Sequence, residues 1–356
     1  MTPDSKDERS GMEIGIYTLG DLVPDGGTGK TISARQRLEE IIEAAKMADE
    51  AGLDVVGVGE HHRLDYAVSA PPVVLSAISQ ITKRIKLASA TTVLSTVDPV
   101  RLFEDFATLD LLSNGRAEII AGRGAFIESF PLFGYELDDY DQLFEENIKL
   151  FQQLNAQERV TWNGQFRSPL QDAEIAPRPL QENIPLWVGV GGTPSSAARA
   201  GRLGTNLAIA ILGGEHIRFK PLVDIYRQAA SQAGHAPESM KVAVTGHAFI
   251  SETTQKAKDE FYPYHSNYWG YFNRQRGMNT RMSRADFKEM AGPETALFVG
   301  SSQQIIEKIL QQYELYGHQR FIAQMDIGGM PFKQVAESIE RLATEVALVV
   351  RRETSK

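Results

Sequence analysis

The chain has 356 residues, 42 % of them hydrophobic, enough for one large core and well suited to a single α/β barrel carrying insertions. It contains no cysteine, which excludes disulfides, a thiolate nucleophile and cysteine-held metal or iron–sulfur centres. A net charge of −9 and a pI near 5.4 argue against nucleic acid as a partner, and no stretch approaches the ~18 apolar residues of a membrane span, so the chain reads as cytoplasmic.

Residues 1–11 are polar and charged with no apolar run, and read as a disordered leader ahead of a single domain over residues 12–352. Residues 12–17 form the first expected strand, followed by a loop rich in Gly, Asp and Pro. Over residues 33–51, Leu38, Ile41, Ile42, Ala45 and Ala48 share one face opposite a charged one, which predicts an amphipathic helix stopped at Gly52. Strands are predicted at 54–58, 85–92 and 117–121, with helices at 70–82 and from Pro99 to about 112. Asn114-Gly115 supplies the turn before the fourth strand.

The second half continues the alternation, with strands at 186–190, 206–211, 242–250 and 321–326. Helices are expected at 194–202, 216–232, 255–266, 302–316 and 333–351. Eight strands alternating with helices make a (β/α)8 TIM barrel the economical fold, an α/β architecture. Two stretches break the repeat and read as insertions. Residues 158–182 have the pattern of a hairpin excursion, and residues 267–294, rich in aromatics and arginine with little periodicity, read as a lid or a solvated loop.

The strand ends carry the chemistry. Glu60-His61-His62 follows the second strand, where one imidazole is suited to general acid or base work, the alternative being a packed or surface pair. Adjacent residues on extended backbone point to opposite sides, so the two histidines do not share a metal ion, and no metal site is predicted. Ala88-Ser89-Ala90-Thr91 ends the third strand in small residues that admit a flat ring or simply pack closely. Gly122-Arg123-Gly124 offers a guanidinium on pliable backbone to an anion or to a surface salt bridge. Gly191-Gly192-Thr193-Pro194-Ser195 reads as the exposed amino terminus of a helix, suited to phosphate and equally to ordinary capping.

These motifs, with Asp98-Pro99-Val100-Arg101 and Ser113-Asn114-Gly115-Arg116, resemble in order and spacing the bacterial luciferase-like flavin-dependent monooxygenase family. The resemblance implies a barrel that uses reduced FMN as cosubstrate and O2 to oxygenate a small organic substrate. It further implies a non-prolyl cis peptide near Ala90-Thr91 beneath the flavin ring. Arg123 would bind the phosphate with Gly191, Gly192, Thr193 and Ser195, His61 would be the catalytic histidine, and His62 its neighbour by the flavin. His247, Trp269, Tyr271 and Phe272 are candidate walls of the substrate pocket, with residues 267–294 in the place of the family's mobile loop. A separate NAD(P)H:flavin reductase is the implied electron donor; light emission is not implied. The alternatives are a deazaflavin-dependent dehydrogenase on the same barrel and a flavin-binding protein without turnover. The helix from Val100 to Leu112 is apolar around more than one stripe, which together with the resemblance implies a homodimer.

Overall fold

The computed structural model describes residues 11–355 except 125, 237–238 and 276; the expected leader over residues 1–11 lies, Gly11 apart, outside the described residues. Eight parallel strands close into a ring: β1 (Glu13–Thr18), β2 (Val55–Val58), β3 (Lys86–Val93), β4 (Ala117–Gly122), β7 (Leu186–Val190), β8 (Asn206–Ile211), β9 (Val242–Ile250) and β11 (Arg320–Gln324), which pairs back onto β1. Between β4 and β7 an antiparallel pair, β5 (Arg159–Trp162) and β6 (Leu170–Glu174), projects from the ring. The barrel strands are short and apolar because both their faces are covered, β2, β4 and β9 being buried at every residue.

Helices α1 (Ala34–Glu50), α2 (Pro71–Ile81), α3 (Pro99–Ser113), α4 (Ser129–Phe133), α5 (Tyr140–Ala156), α6 (Pro194–Arg202) and α7 (Lys220–Gln232) follow the strands in turn. Their ends are set locally. The Asp98 carboxylate accepts hydrogen bonds from the Val100 and Arg101 amides at the start of α3, which stops where Asn114 takes the left-handed region at φ 60°.

The carboxyl-terminal half departs from the pattern read in the sequence. Helix α8 (Thr254–Gln275) runs through Pro263 and on past residue 266, so the first third of the segment expected to be irregular continues this helix. His265, Tyr268, Trp269 and Phe272 are spaced at helical intervals and form its inner stripe. The remainder of that segment contains α9 (Arg284–Met290), started by a reciprocal capping box between Ser283 and Asp286. A three-residue strand, β10 (Phe298–Gly300), too short to show a period, pairs in parallel with the end of β9. After α10 (Ser302–Tyr316), the last helix is interrupted: α11 (Phe332–Arg341) passes through a π turn at Leu342–Ala347 into α12 (Leu348–Thr354). Among the described residues no helix is long and apolar enough to cross a membrane.

The amino-terminal end of the barrel is closed by charge and an aromatic ring. Arg320 is fully buried; its guanidinium lies 2.5 Å from Glu118 Oε2, 2.6 Å from Glu13 Oε2 and 4.4 Å from the Trp187 ring centre. The Trp187 indole donates to Glu118, and Lys86 Nζ reaches Glu13 at 2.5 Å. Burial alone would raise the Glu13 carboxyl, but Arg320 and Lys86 beside it hold it down at about 2. A depressed carboxylate stabilises the fold above its unfolded value, so this contribution is present above pH ~4.5 and lost as pH falls towards 2. Glu118→Ala leaves a buried guanidinium short of its main partner and should cost about 3–5 kcal/mol. That cost is read as a lowered urea midpoint at pH 7, with the wild-type midpoint itself dropping between pH 4.5 and 2.

Candidate active site

At the opposite, carboxyl-terminal end the inward positions are small. A Cβ at Gly57 would lie 2.8 Å from the Cβ atoms of both Ala90 and Tyr17, one at Gly189 would lie 3.0 Å from Thr91 Cγ2, and one at Gly122 3.3 Å from the same methyl. A Cβ at Gly59 would fall 2.6 Å from Leu19 Cδ2 and 2.9 Å from the Ala90 carbonyl oxygen. Backbone thus approaches side chain all round Ala90-Thr91, whose peptide bond is cis and where the register against β4 shifts. The result is a shelf of small, closely packed residues at the ends of β2, β3, β4 and β7. Across the ring the same level is filled by larger groups, since strand register aligns Tyr17 with Gln324 and Gln324 with His247.

On the β2 side the two adjacent histidines face different carboxylates, as alternation along extended backbone requires. His62 Nε2 lies 2.8 Å from Glu60 Oε1, and the edge of its ring meets Phe133. His61 is buried against Tyr66, with ring centres 4.0 Å apart; its Nδ1 lies 3.8 Å from Glu128 Oε1, while its Nε2 has no partner within the protein. Burial would raise the Glu128 carboxyl, but the His61 imidazole and backbone amides turned towards it bring it below the usual range. Glu128 lies 66 residues beyond His62 in the chain, and nothing in its local sequence marked it.

Between β7 and α6 the chain forms a cradle. Gly191 and Gly192 have no atom within 4 Å of where a Cβ would stand, and Gly192 holds φ 125°, a conformation that favours glycine. Thr193 takes the N-cap position without a side-chain cap bond, so the first amides of α6 are not capped by it, and Ser195 stands exposed beside them. Arg123, exposed after β4, stacks on Tyr140 at 5.3 Å, and Arg199 of α6 lies 5.7 Å from the same ring with its charge matched to Asp141 at 2.7 Å. Tyr140 and Arg199 were not singled out in the sequence, because neither sits at a strand end.

The remaining wall comes from β9 and α8. His247 and His265 are fully buried, edge to face at 5.7 Å, and His247 also meets Tyr268 at 5.2 Å. Burial holds His247 neutral by lowering it to about 4, and His265 is pushed well down for the same reason. Trp269 Nε1 donates to His265 Nε2 at 3.1 Å; an indole only donates, so the His265 proton sits on Nδ1. Phe272 stacks on Tyr268 and reaches Phe126 from the β4 loop at 5.6 Å, forming an aromatic seam across the opening. Tyr271 is turned to Arg274, 5.3 Å from its ring, and belongs to the edge of this wall. Near β1, burial and the neighbouring Asp326 push Asp21 up to about 7, and the Thr18 hydroxyl donates to Asp326. Among the described residues no group of three or more His, Cys, Asp or Glu side chains is arranged to hold a metal ion.

Comparison with known proteins gives a consistent picture. Residues 12–319 match the family described as luciferase-like monooxygenase. The oxygenase component of the flavin-dependent trigonelline monooxygenase of Acinetobacter baylyi is 27 % identical over 355 residues, 94 % of each chain. In fold, the monooxygenase RslO1 of Streptomyces bottropensis superposes with a TM-score of 0.80 at 25 % identity, over 94 % of this chain and 98 % of that one. The oxygenating constituent of a 3,6-diketocamphane monooxygenase from Pseudomonas putida, solved with FMN, does so with a TM-score of 0.76 at 21 % identity, over 95 % and 98 %.

The packing round the shelf makes a direct prediction. Gly57→Val drives side-chain atoms into Ala90 and Tyr17 and should destabilise the fold by about 1–3 kcal/mol. Gly191→Ala, in open space, should change the unfolding free energy, read by urea titration, by no more than about 0.5 kcal/mol.

Proposed function

The chain belongs to the luciferase-like monooxygenase family of oxidoreductases, and from that premise we propose that it is the oxygenase component of a two-component system that uses reduced FMN and O2 to oxygenate a small organic substrate. One observation carries this reading: a shelf of small residues and an open glycine cradle lie on neighbouring strand ends, β3, β4 and β7, an arrangement suited to a planar ring with a phosphate tail.

In this reading Arg123, the amides of Gly191, Gly192 and Thr193 ahead of α6, and Ser195 in its first turn hold the phosphate through charge and the positive end of the helix. Ala90 and Thr91 lie under the ring. Reduced flavin, when bound, supplies the electrons that O2 needs to yield one oxygen atom to the substrate and one to water. His61 takes or returns a proton at Nε2, with Glu128 behind its Nδ1, and His62 stands beside it as the second imidazole of the rim. The seam of Phe126 and Phe272 keeps water out, and His247 with Trp269 and Tyr271 forms the far wall, which selects a small, largely apolar substrate with a polar group. The electrons come from a separate NAD(P)H:flavin reductase.

A homodimer completes the reading. Helices α2 and α3 pack side by side, and Val73, Ile81, Leu111 and Leu112 on them remain 44–70 % exposed, a joint apolar face suited to a second copy.

Anaerobic titration should show saturable binding of reduced FMN, weakened roughly ten- to a hundredfold in Arg123→Ala as a charge-assisted phosphate contact is removed. On mixing with aerated buffer, bound flavin should oxidise at a rate different from free flavin, and that difference should shrink in His61→Asn. Binding of a reduced deazaflavin in place of FMN would make the chain a dehydrogenase, and FMN binding with an unaltered oxidation rate would make it a binding protein. In sedimentation the chain should run at twice 39.4 kDa. Val73→Glu with Leu112→Glu should return it to the monomer.

A further inference from the structure

Glu60 is the one member of the Glu60-His61-His62 motif to which the reading above gives no part. Its side chain is 10 % exposed, and both carboxylate oxygens are used: Oε1 lies 2.8 Å from His62 Nε2, and Oε2 accepts the backbone N–H of Val93 at 3.0 Å. The two bonds run in different directions along the structure. One stays within the loop after β2; the other crosses to the end of β3, two residues beyond the cis Ala90-Thr91 bond and just after the register shift against β4. The same two strand ends already touch through Gly57 and Gly59, whose approach to Ala90 leaves no room for a Cβ.

The sense of each bond is fixed by chemistry. An ionised carboxylate only accepts, so the hydrogen in the first bond belongs to His62 Nε2. In the neutral imidazole Nδ1 then carries the lone pair. The neighbouring His61 has no such tie, since its Nδ1 lies 3.8 Å from Glu128 Oε1, beyond hydrogen-bond distance, and its Nε2 has no partner. We propose that Glu60 is a positioning residue: it holds His62 as the Nε2-protonated tautomer, offering only an acceptor at Nδ1, and ties that imidazole to the end of β3 through the Val93 amide. The consequence for flavin binding rests on the function proposed above, whereas the tautomer stands on the geometry of Glu60 alone.

Glutamine is the informative replacement, since its amide has one acceptor oxygen where Glu60 uses two. If that oxygen keeps Val93, an NH2 group faces His62 Nε2 and the imidazole must move its proton to Nδ1; if it keeps His62, the tie to β3 is lost.

The test is long-range ¹H–¹⁵N NMR on histidine-labelled full-length protein at neutral pH without flavin, with the His62 signals among the seven histidines identified by their loss in His62→Gln. The expected wild-type signature is Nε2–H with a lone pair on Nδ1. Glu60→Gln should shift it wholly or partly to Nδ1–H and weaken reduced-FMN binding by roughly fivefold or more. A wild-type His62 that is protonated at Nδ1, or at both nitrogens, overturns the proposal whether or not the variant folds; so does a folded Glu60→Gln in which neither the His62 tautomer nor the Val93 amide resonance, followed by added ¹⁵N-valine labelling, changes. Glu60→Asp, one methylene short of spanning both partners, serves if the glutamine variant does not fold and should perturb the same signals. Absence of FMN binding in the wild type, with the tautomer as expected, would count against the flavin reading and leave the role of Glu60 in place.

Discussion

The interior of an eight-stranded barrel is just wide enough for side chains to fill it, and how each end is filled governs everything else in this molecule. At the amino-terminal end the solution is a charged plug, Arg320 between Glu118 and Glu13 with Trp187 beneath, in which burial is tolerated because every charge has a partner. At the carboxyl-terminal end the strands give up volume instead, through Gly57, Ala90, Gly122 and Gly189. Closing one end so firmly allows the other to be left open to a ligand without loosening the ring, since β1, β3, β4, β7 and β11 are cross-linked below by the same side chains that begin them.

The open end is polar in a divided way. Carboxylates gather on the side of β1, β2 and β11, where Asp21, Asp326, Glu60 and Glu128 are held by hydroxyl, imidazole and backbone partners. The exposed cation Arg123 and the uncapped amides of α6 lie on the side of β4 and β7. In the reading proposed above, this division favours a ligand that carries its negative charge towards β4 and β7. The buried imidazoles His247 and His265 stay neutral, so the far wall adds hydrogen-bonding groups without adding charge.

Much of the frame was legible in the sequence because each barrel strand is a short apolar run ending in residues unfit to continue it. The runs at Val55–Val58 and Lys86–Val93 announce the loops they feed, and the alternation of extended backbone separates His61 from His62. What escaped was set by tertiary contact. Glu128, Tyr140 and Arg199 meet the rim only through loops and helix packing, and the level shared by Tyr17, Gln324 and His247 depends on register between strands far apart in the chain. The extent of α8 was hidden by Pro263 and by a run of aromatics that looks irregular until read at helical spacing, and β10 has too few residues to show any period.

The three tryptophans happen to sample the molecule's separate parts. Trp187 lies under Arg320 at the sealed end, Trp269 is bonded to His265 at the open end, and Trp162 stands on the hairpin outside the ring. Their indoles are in unlike surroundings, one beside a guanidinium, one hydrogen-bonded to a neutral imidazole and one partly exposed to water. The intrinsic emission of this protein is thus a sum of three local reports, and its colour and quenching distinguish events at the rim from events at the base without any added label.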